Sequence, residues 1–140
     1  MRRLDSSTAL AVLRIATGLL TFPHGLRKLL KGPVAAIGGS MAAHGFPPWF
    51  AYVVVLGELA GLLMVVGPGS RLASVVVAVT MAGIAVVVNS GEIAQLGSGD
   101  SLGFELSLLL TVAATLCALA PSTRFSLDGR RAVAADAAER

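Results

Sequence analysis

Apolar residues run almost unbroken through four stretches of the chain, from about Ser7 to Leu30, Trp49 to Val66, Leu72 to Asn89 and Leu102 to Ala120. Each is close to the roughly 20 residues that a helix rising about 1.5 Å per residue needs to cross a hydrocarbon layer roughly 30 Å thick. Turn and breaker residues separate them: Gly32-Pro33, Gly45 through Pro48, Gly67-Pro68-Gly69 and Gly97 through Asp100. Val and Ile are frequent in the third run, which would favour strand in water, but an open sheet cannot satisfy its backbone in lipid. The pattern predicts an all-α fold, an integral membrane four-helix bundle with helices at about 7–30, 49–66, 72–89 and 102–120. It forms a single transmembrane domain over residues 1–128, and the Ala-rich, charged segment 129–140 is expected to be a flexible cytoplasmic tail with nothing to bury.

The first loop is more organised than the others. Val34, Ala35, Ala36, Ile37, Met41, Ala42 and Ala43 fit a short helix lying at the membrane interface. Phe46, Trp49, Phe50 and Tyr52 then cluster where the second helix enters the bilayer, at the level where aromatic side chains anchor. Pro48 fits the first turn of that helix, where no backbone hydrogen bond is lost.

Composition excludes a soluble domain. Of 140 residues, 55% are hydrophobic and 14% charged, with a mean hydropathy of +0.81. A chain of this size has no interior large enough to hide that much apolar surface. With four spans both termini share one side, which holds Arg2, Arg3, Arg71, Arg124, Arg130, Arg131 and Arg140, against Arg27, Lys28 and Lys31 on the other. That bias places both termini in the cytoplasm and the protein in the inner membrane. Arg2-Arg3 before an apolar run also fits a signal peptide, but Arg14 interrupts the run and no small-x-small cleavage site precedes Pro23. The net charge of +3 suits cytoplasmic ends beside anionic lipid and requires no nucleic-acid partner. Cys117 is alone and forms no internal disulfide, and no Cys/His cluster points to a metal.

Candidate chemistry lies in the ionisable groups inside the apolar runs, which are costly in lipid and turn towards a partner or a cavity. Glu58 sits near the centre of the second run, between Gly57 and Gly61, a spacing that lets another helix approach closely. On the first helix, Arg14, Gly18, Thr21, Gly25 and Lys28 fall within about 40° of one line at about 100° per residue. Depth along the helices predicts that Arg14 reaches Glu58 and that His24 reaches Glu105. Arg14, His24, Lys28, Glu58 and Glu105 are therefore the candidate intramembrane polar pocket, and Gly18, Gly25, Gly57 and Gly61 the candidate helix-packing positions. These groups either orient the bundle as ion pairs or exchange protons with a bound redox carrier such as a quinone. His44, in the loop, is expected to be solvated.

Phe22-Pro23-His24-Gly25-Leu26-Arg27-Lys28, preceded by Arg14 and Gly18, resembles the first-helix signature of the DoxX family of small bacterial membrane proteins. Gly57-Glu58-Leu59-Ala60-Gly61, followed by Gly67 and Arg71, resembles its second motif, and Glu105 with Ser126-Leu127-Asp128 its third. The resemblance covers about Leu10 to Asp128. It departs at Ala120 through Phe125, where many relatives have a Gly-Pro-Gly-like turn. The resemblance implies a four-helix membrane bundle related to the small subunit of thiosulfate:quinone oxidoreductase, without a settled activity of its own.

Three function classes follow. The chain is a redox membrane subunit that binds quinone in the polar pocket and works with soluble oxidoreductase or sulfurtransferase subunits, carrying no cofactor of its own. Alternatively it is a scaffold docking such enzymes at the bilayer, or a small-molecule or proton-coupled transporter. Four helices are few for a transporter unless the chain forms an oligomer. No residue is assigned as catalytic by the sequence.

Overall fold

The computed structural model describes residues 5–32, 34–96 and 101–120, all of them helix, turn or connecting backbone, with no strand among them. The predicted tail at 129–140 and the Ser126-Leu127-Asp128 motif lie outside the described residues. Helix α1 runs Ser6–Lys31 and α2 Val34–Ala43. Helices α3 (Phe50–Leu59) and α4 (Gly61–Val66) follow, then α5 (Ser70–Gly83), a π turn at Ile84–Val88, a 3₁₀ segment at Ser90–Gln95 and α6 (Leu102–Leu119).

Three of these segments are long and apolar enough to cross a membrane: Ser6–Lys31, Ser70–Val88 and Leu102–Leu119. The second predicted span is shorter, Phe50–Val66, and its helical ladder loosens at Ala60. The path still continues through that residue, because the Ala60 N–H donates to Leu56 O at 3.0 Å and the Ala60 carbonyl accepts from Met64 N at 3.3 Å. Pro23 lies inside α1, where it lacks the N–H that an unbroken helix would direct at the carbonyl four residues earlier. Between α4 and α5 the chain reverses at Gly67-Pro68-Gly69, with φ of 102° and 59° at the two glycines, a region that side-chain-bearing residues rarely enter.

The four rods close into a ring: α1 packs on α3, α4 and α6, while α5 packs on α6, α4 and α3. Backbone proximity is set by glycine. A Cβ on Gly18 would run into the carbonyl oxygen of Gly61, and one on Gly61 would come within 2.9 Å of the carbonyl oxygen of Gly18, so α1 and α4 touch backbone to backbone. A Cβ on Gly25 would lie 2.8 Å from Glu58 Cβ, and one on Gly57 would collide with Thr80 of α5. Where apolar transfer gives helices no reason to associate, such close approach supplies dispersion contact instead.

The distribution of side chains is that of an integral membrane protein. Leu19, Leu30, Leu72, Val79, Leu109 and Leu119 are all more than half exposed, while the interior holds Ala11, Ala51, Ala73, Ala114 and the polar Arg14, Thr17, Thr21, Glu58, Ser74 and Ser107. Larger residues complete the core at Val54, Met64, Val77, Met81, Ile84 and Leu110. Helix α2 buries Val34, Gly38 and Met41, a one-face spacing, and seats Val34 against Ala51 and Val55 of α3. It thereby covers the end of the bundle at which α1 finishes and α3 begins.

Candidate functional site

At that end the rods leave a cavity of about 280 Å³. Its polar lining comes from Thr21, His24 and Lys28 of α1, Glu58 of α3, Asn89 after the π turn and Ser107 of α6. Val54, Met81, Ile84 and Leu110 supply apolar wall, and Ile37 of α2 completes it.

Lys28 Nζ donates to Glu58 Oε1 at 2.5 Å, and this is an ion pair between the last turn of α1 and the end of α3. Glu58 is buried, and its second oxygen, Oε2, accepts no hydrogen bond among the described residues. Lys28 keeps 25% of its side-chain surface exposed. His24 is exposed and lies at the cavity's edge. On the other elements, Asn89 Nδ2 donates to Ser107 Oγ at 3.2 Å, and Ser107 Oγ donates to the Gly103 carbonyl at 2.8 Å. Thr21 turns its hydroxyl onto the Thr17 carbonyl at 2.8 Å, so a polar side chain is satisfied within its own helix.

Of the five candidate pocket residues, the structure brings together Lys28, Glu58 and His24. The expected partner of Glu58, Arg14, is replaced by Lys28. The reason is register: α1 runs antiparallel to α3 and α4, with Gly25 facing Glu58 of α3 and Gly18 facing Gly61 of α4. Arg14 is therefore about 16 Å down the α1 axis from the level of Glu58 at 1.5 Å per residue. It is buried in the other half of the bundle. The expected pairing of His24 with Glu105 is also corrected. Glu105 is exposed in the first turn of α6 and accepts a hydrogen bond from Ser101 one turn earlier, outside the cavity lining.

The carboxylate that meets the start of α6 from another element is instead Glu92. Its Oε2 accepts from Phe104 N–H at 2.8 Å, compensating the positive end of the helix. Asn89, Ser107 and Glu92 were not among the sequence candidates. The signal was present for one of them: Asn89 is the chain's single asparagine and follows the apolar run Ile84–Val88, where it reads most simply as a helix terminus. Among the described residues no group of three His, Cys, Asp or Glu converges.

No solved structure matches the chain. A protein of Bacillus subtilis (strain 168) named "Putative oxidoreductase CatD" is 30% identical over 128 residues, covering 89% of this chain and 82% of that protein. The family model DoxX matches residues 9–90, more than half of the chain and the part that carries Lys28, Glu58 and Asn89. From the matched segment and the membrane-type distribution of its side chains, the chain belongs to the DoxX family.

Proposed function

We propose that the protein is a redox-associated membrane subunit whose cavity receives the ring of a quinone, with electrons passed by a soluble oxidoreductase or sulfurtransferase partner. The observation that supports this most is the buried Glu58 carboxylate, held by Lys28 on one oxygen and, among the described residues, left without a hydrogen-bond donor on the other, in a cavity whose wall is largely apolar. A buried acceptor left unmade costs about 1–3 kcal/mol, more when charged, and a bound ligand or a proton removes that cost. The volume of about 280 Å³ is near the lower end of the roughly 300–1,000 Å³ of small-molecule sites, which suits a ring with its tail left in lipid.

A quinone supplies acceptance of two electrons coupled to two protons. Within the chain, Lys28 has N–H groups beyond the one on Glu58 with which to hold a carbonyl oxygen. Glu58 Oε2 is the acceptor through which a proton is taken or given, and His24 at the exposed rim links that position to water. Val54, Met81 and Leu110 exclude water from the ring faces. In the orientation favoured by the basic residues, with both termini cytoplasmic, this cavity lies in the outer half of the inner membrane. The name of the Bacillus subtilis relative agrees with redox work.

The test is extraction of the tagged protein from native membranes in mild detergent, followed by mass spectrometry of bound carriers and co-purifying proteins. A quinone recovered with the wild type and lost from a folded Lys28→Met protein is the expected result. Folded wild type without any carrier, or full redox function in a well-expressed Glu58→Gln protein, overturns the reading in favour of a scaffold.

A further inference from the structure

The cavity has a second polar pole, and the backbone takes an uncommon path to build it. After Gly83 the helix widens into the π turn, closed by Asn89 N–H donating to Ile84 O at 3.0 Å. In a regular α-helix five residues advance about 500°, which would leave Asn89 about 140° away from the face of Ile84. The i to i+5 turn brings Asn89 beneath Ile84 instead, and both line the cavity. Single π turns of this kind cost stability and concentrate at functional sites.

Asn89 is then fixed from two sides. Its amide nitrogen donates to Ser107 Oγ, whose own proton is committed to the Gly103 carbonyl. The 3₁₀ segment that starts at Ser90 ties back to α6 through Glu92 and Phe104 N–H. At Gly103 a Cβ would come within 2.8 Å of Glu92 Oε1 and 3.1 Å of Asn89 Nδ2, so glycine gives the ends of these two side chains room beside α6. Asn89 precedes the 3₁₀ segment in the capping position yet makes no side-chain cap bond, so its amide is not spent on holding the helix end. One N–H and the amide oxygen remain for a ligand. Among the described residues no hydrogen bond joins the Asn89–Ser107 pair to the Lys28–Glu58 pair, and Thr21, His24 and apolar side chains make up the rest of the wall.

We infer that Asn89 is the specificity-determining residue of this cavity, selecting a flat apolar ring with a polar oxygen at each end over a ring of the same shape with only one. This rests on the quinone reading above and narrows it to 1,4-dicarbonyl rings. Lys28 holds one oxygen, and the free N–H of Asn89 holds the other. Asn89 is half-buried in the free protein, and a bound ring withdraws its amide from water, so an analogue lacking the second oxygen leaves that amide unpaired and is discriminated against.

The experiment titrates wild type in lipid nanodiscs with a decyl-1,4-naphthoquinone and with a decyl-1-tetralone, which keeps the fused bicycle and one carbonyl; its puckered ring is the same for every variant, so the change in preference between variants reads Asn89. Wild type is expected to prefer the dicarbonyl by about 10-fold or more, one hydrogen bond's worth. Asn89→Leu is expected to bring the two affinities to within about 3-fold by weakening the dicarbonyl, while the tetralone stays held through Lys28. Ser107→Ala, which frees the amide to rotate without altering Asn89, is expected to erode the preference partly and decides the matter if Asn89→Leu does not fold. Retention of the full preference in both variants, or equal weakening of both probes, overturns the inference while leaving the quinone reading standing. Failure of folded wild type to bind either probe removes the quinone reading, and this inference with it.

Discussion

Lys28 Nζ and Glu58 Oε1 lie 2.5 Å apart, joining α1 to α3 across 30 residues of sequence. The pair is placed by glycine: Gly25, one turn before Lys28, is the residue that lets the α1 backbone come down on Glu58. Removing one partner of a buried pair leaves an uncompensated charge, which costs about 3–5 kcal/mol when both are fully buried. The partial exposure of Lys28 lowers that figure here. Lys28→Met is expected to cost about 2 kcal/mol and the double variant Lys28→Met/Glu58→Gln markedly less, read from thermal unfolding in detergent. Additive losses in the double variant would show that the two groups are energetically independent.

The glycine contacts give a sharper contrast. Gly18→Val places a side chain against the backbone of Gly61, which has nowhere to move, and is expected to cost more than the about 1–3 kcal/mol of ordinary overpacking. Gly83→Ala meets nothing within 4 Å in the middle of a helical segment and is expected to stabilise by up to about 1 kcal/mol. Gel filtration and melting of the two proteins side by side test this. A tolerated Gly18→Val would mean that α1 and α4 are not in backbone contact.

Glu92 accepts from an N–H in the first turn of α6, so Glu92→Ala is expected to cost about 1 kcal/mol and Glu92→Gln less, because an amide oxygen still accepts. Hydrogen exchange at Phe104 N–H is the direct readout. Exchange unchanged in Glu92→Ala would remove the capping role.

Orientation is open to chemical labelling. In a Cys117→Ser background, Gly39→Cys on the exposed side of α2 is expected to react with a membrane-impermeant maleimide in intact cells, and Arg71→Cys only after lysis. The opposite pattern would put the termini, and the closed end of the bundle, on the reverse sides.

The sequence by itself determined the class of fold and the family. Long apolar runs broken by Gly and Pro leave the backbone no option in lipid but helices, and that constraint is local enough to be read residue by residue. It also located Glu58 and Lys28 as groups that need company, because an ionisable side chain in an apolar run is costly wherever the run is placed. Which group keeps which company was decided only by tertiary structure. Depth arithmetic from helix midpoints assigned Arg14 to Glu58, but relative register is fixed by where two backbones can touch, at Gly18 with Gly61 and Gly25 with Glu58. That contact moves the pairing 14 positions along α1, to Lys28. Asn89 was visible as a residue and invisible as a site, because the π turn that brings it into the cavity has no periodicity in a run of Val and Ile and is stabilised by its neighbours on α6. Local pattern sets which segments are helices; the close approach of backbones and the contacts across the bundle set which faces meet.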